Sequence, residues 1–325
     1  MQPREIVYEP TVSVAFAREK LAGLEHELST VIRGKAEVLR LATVCLLAKG
    51  HLLIEDVPGV GKTTLAHALA RSVDCEFHRL QFTSDMLPSD VLGVTIYNSQ
   101  TQAFEFKPGP IFTNFLLADE INRATPKTQS ALLEAMNEQQ ITIDGRTSTL
   151  SQPFMVIATQ NPVEHHGTYP LPESQLDRFL MRIRVGYPDL AAEREILRNT
   201  DHGNTIARPV LKGEDLLRLQ AWVSQVAVDT SIVDYMLAIV DKTRSHESLT
   251  LGVSPRGSQA LYRAAQALAL IEGRDYVIPD DVKRLVVPVF AHRVIVNSRV
   301  TLTQRTSEWS ERILQEILTL VDVPL

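Results

Sequence analysis

The chain lacks most of the features that are typical of secreted proteins, membrane-spanning proteins or proteins with a structural metal site. Only two of its 325 residues are cysteines, Cys45 and Cys75, and no CxxC or Cys/His spacing is present, so neither a disulfide framework nor a zinc site is predicted. The most apolar stretch, Leu41 to Ala48, is far shorter than the roughly 20 residues of a membrane span. The segment from Met1 to Glu9 carries both charge signs and no apolar targeting region, so we expect a cytoplasmic protein without a membrane span.

An excess of basic charge is also missing. The 33 Lys and Arg residues are outnumbered by 39 Asp and Glu residues, which gives a formal net charge of −6 at pH 7. A non-specific nucleic-acid binder carries a basic face, so no nucleic-acid partner is predicted. Hydrophobic residues make up 44% of the chain, which is enough for a folded protein with a substantial core.

Short apolar runs alternate with helical patterns over the first 187 residues. This alternation predicts an α/β fold with a parallel five-stranded sheet between helices, and only helical patterns follow Pro188. We therefore predict an N-terminal helical segment (1–33), an α/β core (34–187) and an all-helical second domain (188–325), with a loose stretch at 202–209. The predicted strands are 51–55, 76–82, 114–118, 154–158 and 179–185.

A glycine-rich loop with a terminal Gly-Lys-Thr lies between the first predicted strand and a predicted helix. Gly59 and Gly61 allow the backbone to bend so that successive amides face one concavity, where they bind phosphate oxygens. Lys62 supplies a charge for the β- and γ-phosphates, and Thr63 supplies a hydroxyl for Mg²⁺. Asp56 stands where such loops usually begin with glycine. The predicted nucleotide-binding residues here are Val57, Pro58, Gly59, Val60, Gly61, Lys62, Thr63 and Thr64.

Acidic and amide side chains follow two later apolar strands. Asp119 and Glu120 come at the end of the strand 114–118, and ligands of open α/β sheets bind at that edge. Asp119 is the candidate Mg²⁺ ligand, and Glu120 is the candidate general base for an attacking water. Asn161 follows the next apolar strand, from which its amide can help to orient that water.

These motifs together resemble the AAA+ ATPases, and more closely the MoxR family. The resemblance covers residues 32–187 densely and continues into the helical half. The segments that carry it are GPIF at 109–112, ADEINRA at 118–124, PKTQSALLEAM at 126–136, QNP at 160–162, YPLPESQLDRF at 169–179 and GVSPR at 252–256.

The resemblance implies an AAA+ P-loop core with a C-terminal helical lid, ATP and Mg²⁺ as cofactors, and ATP hydrolysis. Asn161 is similar to sensor 1, and Arg178 is similar to the arginine finger that reaches the ATP of a neighbouring subunit. Arg256 is similar to sensor 2, and Ile32 and Gly34 are similar to residues that border the adenine. The resemblance also implies a homo-oligomer, with a hexameric ring as the expected form.

Two further stretches, 94–107 and 140–149, predict hairpins, the second from its Asp144-Gly145 turn. They are similar to the helix-2 insert of this clade and to the hairpin before sensor 1. His165 and His166 have no spaced carboxylate or cysteine partners, so no metal role is predicted for them.

The resemblance implies a motor that remodels or matures a client protein, for example by cofactor or metal insertion, often with a von Willebrand A-domain partner protein. Two alternatives stay open. One is a motor subunit of the magnesium-chelatase type, and the other is an ATP-switched scaffold without significant turnover. Glu120 and Arg178 argue against the scaffold, because a protein that only binds ATP needs neither a base nor an arginine finger.

Overall fold

Strands and helices alternate along the first part of the chain. The computed structural model describes residues 14–162, 167–198, 207–297 and 306–324. In chain order the elements before residue 187 are α1 (Val14–Val31), α2 (Ala36–Leu47), β1 (Leu52–Glu55), α3 (Lys62–Ser72), β2 (Phe77–Gln81), α4 (Pro88–Leu92), β3 (Gly93–Asn98), β4 (Ala103–Pro108), β5 (Phe115–Asp119), a 3₁₀ turn (Ile121–Arg123), α5 (Pro126–Glu138), β6 (Gln140–Ile143), β7 (Arg146–Thr149), β8 (Met155–Gln160), α6 (Glu173–Leu176) and β9 (Met181–Ile183).

The predicted five-stranded parallel sheet is confirmed. Its strand order is β2-β5-β8-β1-β9, and every neighbouring pair is parallel. All five residues of the interior strand β5 are buried, as the continuous apolar run predicts for a sheet covered on both faces. This order places the carboxyl ends of β5, β8 and β1 side by side at one edge of the sheet.

Each face of the sheet has its own apolar cluster, because successive side chains of a strand point to opposite faces. Leu117 and Ile157 belong to a cluster that also contains residues of α1, α2 and α3. Leu116 and Val156 belong to a second cluster, which contains residues of α5. The sheet is therefore the middle of three layers.

Both predicted hairpins form. β3 pairs with β4, and β6 pairs with β7, each as an isolated antiparallel ladder. Asp144 and Gly145 have φ angles of 51° and 75°, the left-handed values that a tight two-residue hairpin turn requires.

The second half is helical, as predicted, with one addition. Its elements are α7 (Leu190–Arg198), α8 (Gly213–Val223), α9 (Thr230–Ser245), β10 (Leu249–Leu251), α10 (Pro255–Ile271), α11 (Pro279–Phe290), β11 (Ile295–Val296) and α12 (Thr306–Leu320). β10 and β11 form a short antiparallel ladder, which is too brief to give a readable alternation in the sequence. Most of the predicted loose stretch 202–209 lies outside the described residues.

One continuous apolar cluster joins the two halves of the chain. Leu21 and Leu28 of α1 are buried in the same cluster as Leu268 of α10 and Leu285 of α11. The described part of the predicted N-terminal segment thus packs into the common core, and residues 1–13 lie outside the described ranges. The domain limits near residues 33 and 187 stay predictions. No helix among the described residues is long and apolar enough to cross a membrane.

His51 is a fully buried hydrogen-bonding residue just before β1. Its Nδ1 accepts the Val156 backbone N–H at 3.0 Å, which leaves the proton on Nε2, 3.1 Å from the carbonyl oxygen of Met136. Burial lowers the pKa of His51 to about 4, and burial also lowers the pKa of His292. Both rings are therefore neutral in the native state at neutral pH.

We expect the free energy of unfolding to fall as the pH is lowered from about 6.5 towards 4, because the unfolded chain binds a proton that native His51 does not. At about pH 5, His51 accounts for a loss of about 2 kcal/mol. His51→Gln should reduce this loss, while His26→Gln, an exposed control, should not. Urea unfolding at about pH 7 and about pH 5 measures this loss in the free energy of unfolding for each protein. An undiminished loss in His51→Gln would contradict the assignment.

Candidate nucleotide-binding and hydrolysis site

The loop after β1 has the conformation that a phosphate-binding loop needs. Gly59 and Gly61 have φ angles of +84° and +93°, a region that glycine adopts without strain. A Cβ atom added at either glycine would meet no atom within 4 Å, so the space in front of the loop backbone is open. Helix α3 begins at Lys62, and its free amides and positive dipole end face the same loop.

Asp56 anchors the start of this loop. Its Oδ1 accepts the Val57 N–H at 2.8 Å, and its Oδ2 accepts the Gly186 N–H at 2.6 Å, which ties the loop to the segment after β9. The φ angle of Asp56 is not positive, so this position does not require the usual glycine. The departure seen in the sequence therefore has a structural role.

Lys62 lies close to the candidate acidic residues. Its Nζ donates a hydrogen bond to the Asp56 carbonyl oxygen at 2.7 Å. Partial burial lowers the pKa of Lys62, while the charges of Asp119, Asp56 and Glu120 oppose that shift. The ammonium group and the candidate carboxylates thus share one electrostatic site. Thr63 follows in the first turn of α3 and is half-buried.

Asp119 is buried at the carboxyl end of β5, and its two oxygen atoms have different partners. Thr159 of β8 donates its hydroxyl to Oδ1 at 2.6 Å, and Arg79 of β2 donates Nη2 to Oδ2 at 2.7 Å. Sequence reasoning missed both partners. Thr159 had a detectable signal, because it is a polar residue directly after the apolar part of its strand.

Glu120 is held in a defined position after β5. Its φ is +56°, an uncommon value for a residue with a large side chain, and its N–H donates to the Thr159 hydroxyl at 2.9 Å. Its Oε2 accepts a hydrogen bond from Nε2 of Gln81 at 2.8 Å and lies 2.8 Å from Nε of Arg123. Strained backbone of this kind is concentrated at functional sites.

The other predicted binding residues have different surroundings. Asn161 follows β8 and lines a cavity of about 410 Å³ together with Glu55. Ile32 and Val60 are both buried in the large apolar cluster. A Cβ added at Gly34 would lie 3.2 Å from Cβ of Ala192, so this glycine lies against α7.

The two predicted catalytic arginines lie elsewhere. Arg178 precedes β9, and its Nη1 donates to the Leu133 carbonyl oxygen at 2.6 Å. Arg256, in the first turn of α10, donates Nη2 to Oδ1 of Asn137 at 2.5 Å. Both line a cavity of about 250 Å³ together with Gly50, which precedes β1. Because β1 and β9 are parallel, this cavity lies at the amino edge of the sheet, opposite the phosphate loop.

Asp177 joins the two arginine-bearing segments. Its Oδ1 accepts Nε of Arg293 at 2.8 Å, and its Oδ2 accepts the Ser254 hydroxyl at 3.0 Å. Ser254 in turn accepts the Gly257 N–H at 3.1 Å and so caps α10, the helix that carries Arg256. Burial lowers the pKa of Arg293 to about 10 against the attraction of Asp177, so the ion pair is charged at neutral pH.

The side chains at the carboxyl edge fit a magnesium nucleotide. Mg²⁺ prefers hard oxygen ligands and is commonly held by one or two protein groups together with phosphates. The Thr63 hydroxyl and the Asp119 carboxylate are oxygen groups of this kind beside an open loop. Within the described ranges no group of three or more His, Cys, Asp or Glu residues forms a self-sufficient metal site. His165 and His166 lie outside those ranges.

The sequence is related to known proteins over most of its length. Residues 51–181 match the ATPase family associated with various cellular activities (AAA), and residues 241–317 match the AAA lid domain. The protein YeaC of Bacillus subtilis (strain 168) is 52% identical over 304 residues, which are 93% of this chain and 94% of that protein. The chaperone MoxR1 of Mycobacterium tuberculosis is 46% identical over 279 residues, 83% of this chain and 74% of that protein.

The fold agrees with these relationships. A crystal structure of a protein from Cytophaga hutchinsonii matches 96% of this chain and 97% of its own, with a TM-score of 0.88 and 37% sequence identity. The protein MoxR of Paracoccus denitrificans is 32% identical over 299 residues, 84% of this chain and 88% of that protein. From this similarity along both the core and the lid, we conclude that the chain belongs to the MoxR family of AAA+ ATPases.

Proposed function

We propose that this protein hydrolyses Mg²⁺-bound ATP at the carboxyl edge of its sheet and uses the energy to remodel or mature a partner protein. The observation that carries the proposal is the convergence of the open phosphate loop, Lys62, Asp119 and Glu120 at the carboxyl ends of β1 and β5, the two strands that flank β8. This is the arrangement that phosphoryl transfer needs, because its catalysis consists mainly of positioning and charge stabilisation.

Each residue has a role in this proposal that follows from its chemistry. The loop amides and Lys62 bind the β- and γ-phosphates, and Thr63 and Asp119 hold the Mg²⁺ ion. The ion, when bound, neutralises charge that develops on the phosphate oxygens. Glu120 accepts a proton from the attacking water, and Asn161 orients that water. Gln81 and Arg123 both contact Oε2 of Glu120, so neither of these contacts occupies Oε1, which can accept the proton.

We further propose that the active site is completed by a second copy of the chain. Arg178 and Arg256 share a cavity at the amino edge of the sheet, away from the phosphate loop of their own chain. A guanidinium can bind phosphate oxygens bidentately, so both suit the ATP of a neighbouring subunit. A head-to-tail contact of this kind repeats until it closes, and a hexameric ring is the closed form that we propose.

The proposed output is work on a protein client. The name of the chaperone MoxR1, a relative at 46% identity, supports this class of activity. The proposed partners are a von Willebrand A-domain protein and a client that acquires a cofactor or metal. Purification from the native cell tests this against the chelatase alternative. Co-purification of chelatase subunits in place of a von Willebrand A-domain protein would favour the chelatase motor.

Lys62→Ala should weaken ATP binding about 10- to 100-fold, because it removes a charged donor from the phosphate site. Lys127→Ala, an exposed lysine on α5, is the matched control and should bind ATP like the wild type. Isothermal titration calorimetry measures both affinities. An affinity of Lys62→Ala within a few-fold of the wild type would remove the basis for the phosphate-loop assignment.

Glu120→Gln should bind ATP with unchanged affinity but lose about 10²- to 10⁴-fold in kcat, since the amide cannot take the proton from water. Glu134→Gln on the exposed face of α5 controls for the loss of one carboxylate and should keep its turnover. Phosphate release under saturating ATP gives kcat for each protein. Wild-type turnover in Glu120→Gln would show that another group is the base. Absence of turnover in the wild type, despite ATP binding, would favour the scaffold alternative.

Mixing two inactive variants tests the shared site. Arg178→Ala should lose turnover but bind ATP, and Lys62→Ala, which binds ATP more weakly, should be inactive at an ATP concentration that just saturates the wild type. In an equimolar mixture, roughly a quarter of head-to-tail interfaces pair an intact loop with an intact arginine, so partial activity should return. Size-exclusion chromatography of the mixture verifies that the two variants assemble together. Co-assembly without any recovered activity would exclude Arg178 as a residue that acts in a neighbouring site.

A further inference from the structure

A cation already contacts the candidate magnesium ligand. Arg79 lies on the edge strand β2, and both Nε and Nη2 donate to Oδ2 of Asp119, at 3.1 and 2.7 Å. The Arg79 side chain is 50% exposed, whereas the Asp119 side chain is only 11% exposed. A half-exposed guanidinium therefore compensates the charge of a nearly buried carboxylate.

These contacts leave Asp119 little capacity for another ligand. A carboxylate oxygen has two acceptor positions, and Arg79 uses both positions on Oδ2. The Thr159 hydroxyl uses one of the two on Oδ1. In addition, a divalent cation at Asp119 would stand within a few ångströms of the guanidinium, where like charges repel strongly.

The same arginine is connected to the candidate base. Nη2 of Arg79 also donates to Oε1 of Gln81 at 3.0 Å, and Nε2 of Gln81 donates to Oε2 of Glu120 at 2.8 Å. Arg79 thus contacts one acidic residue directly and the other through a single amide. A displacement of Arg79 removes a hydrogen-bond partner from both Asp119 and Gln81.

We propose that Arg79 is a resident counter-cation of Asp119, and that Mg²⁺ binds by exchange with its guanidinium. This rests on the proposed function, because it takes Asp119 to be a metal ligand. Arg79 compensates the charge of Asp119 until the metal binds and lowers the affinity of Asp119 for free Mg²⁺. Its departure also removes the guanidinium donor that holds the Gln81 amide in place against Glu120. Arg79 is therefore a positioning residue that acts through Asp119 and Gln81 and does not touch the nucleotide.

The exchange predicts that removing the guanidinium strengthens metal binding. In Arg79→Met, which keeps the length of the side chain, we expect the Mg²⁺ concentration for half-maximal binding of a non-hydrolysable ATP analogue to fall about 5- to 30-fold. Arg79→Lys keeps the charge and should stay near the wild type. Arg71→Met, an exposed arginine at the end of α3, is the matched control and should also be unchanged. Calorimetric titrations of the analogue at a series of Mg²⁺ concentrations provide the measurement, without any need for turnover.

Two results would overturn the proposal, and they differ in meaning. An unchanged or higher half-maximal Mg²⁺ concentration in Arg79→Met means that the arginine does not compete with the metal. In that case Asp119→Asn still needs a higher Mg²⁺ concentration than the wild type for half-maximal binding of the analogue, and the proposed function stands. If Asp119→Asn has the same Mg²⁺ dependence as the wild type, Asp119 is not the metal ligand, and that assignment and the exchange fall together. Thermal melts without nucleotide establish that each variant is folded.

Discussion

The parallel direction of the five strands is the constraint on which the rest of the arrangement depends. All carboxyl ends meet at one edge of the sheet, so the phosphate loop, Asp119 and Glu120 lie close together there. All amino ends meet at the other edge, where Arg178 precedes β9. An arginine side chain at the amino edge cannot reach the carboxyl edge of its own sheet by a change of rotamer. A fold of this kind therefore separates Arg178 from the phosphate loop and the acidic residues. The proposed sharing of one ATP between two copies of the chain is the direct consequence of that separation.

The helical half is fixed to the amino edge by a buried ion pair. Arg293 is almost fully enclosed, and it donates to Asp177 and to backbone carbonyl oxygens of the segment before β9. Removal of one partner from such a pair commonly costs about 3–5 kcal/mol, because the other charge remains buried. Asp177 also bonds the cap residue Ser254, so Arg178 and Arg256 are linked through a single carboxylate. A movement of the helical half against the sheet would therefore have to move both arginines or break the contacts of Asp177 with Ser254 and Arg293.

Much of this could be predicted from sequence, and the exceptions share a cause. Apolar runs of four to six residues give the strands, and Asp144-Gly145 gives a hairpin turn, because these signals are local. The contacts of Arg79 and Gln81 are not local. They depend on β2 lying beside β5, although the β3–β4 hairpin separates the two strands in sequence, and one sequence carries no signal for strand order. The position of Arg256 likewise depends on how α10 packs, which is decided by tertiary contacts.

Charge compensation among the residues of the site has a consequence for its chemistry. Lys62 donates to a loop carbonyl, Asp119 is paired with Arg79, and Glu120 is contacted by Arg123. Each of these ionised groups has a partner within the protein, and the charges of Asp119, Asp56 and Glu120 favour the charged form of Lys62, so none is left uncompensated in a partly buried cleft, which would be costly. Under the proposed function, incoming phosphate and metal replace these partners, and each replacement subtracts from the gross binding energy. A site built in this way is stabilised by its own contacts, and under the proposed function it reaches a reactive geometry only when nucleotide and metal exchange with several of those contacts together.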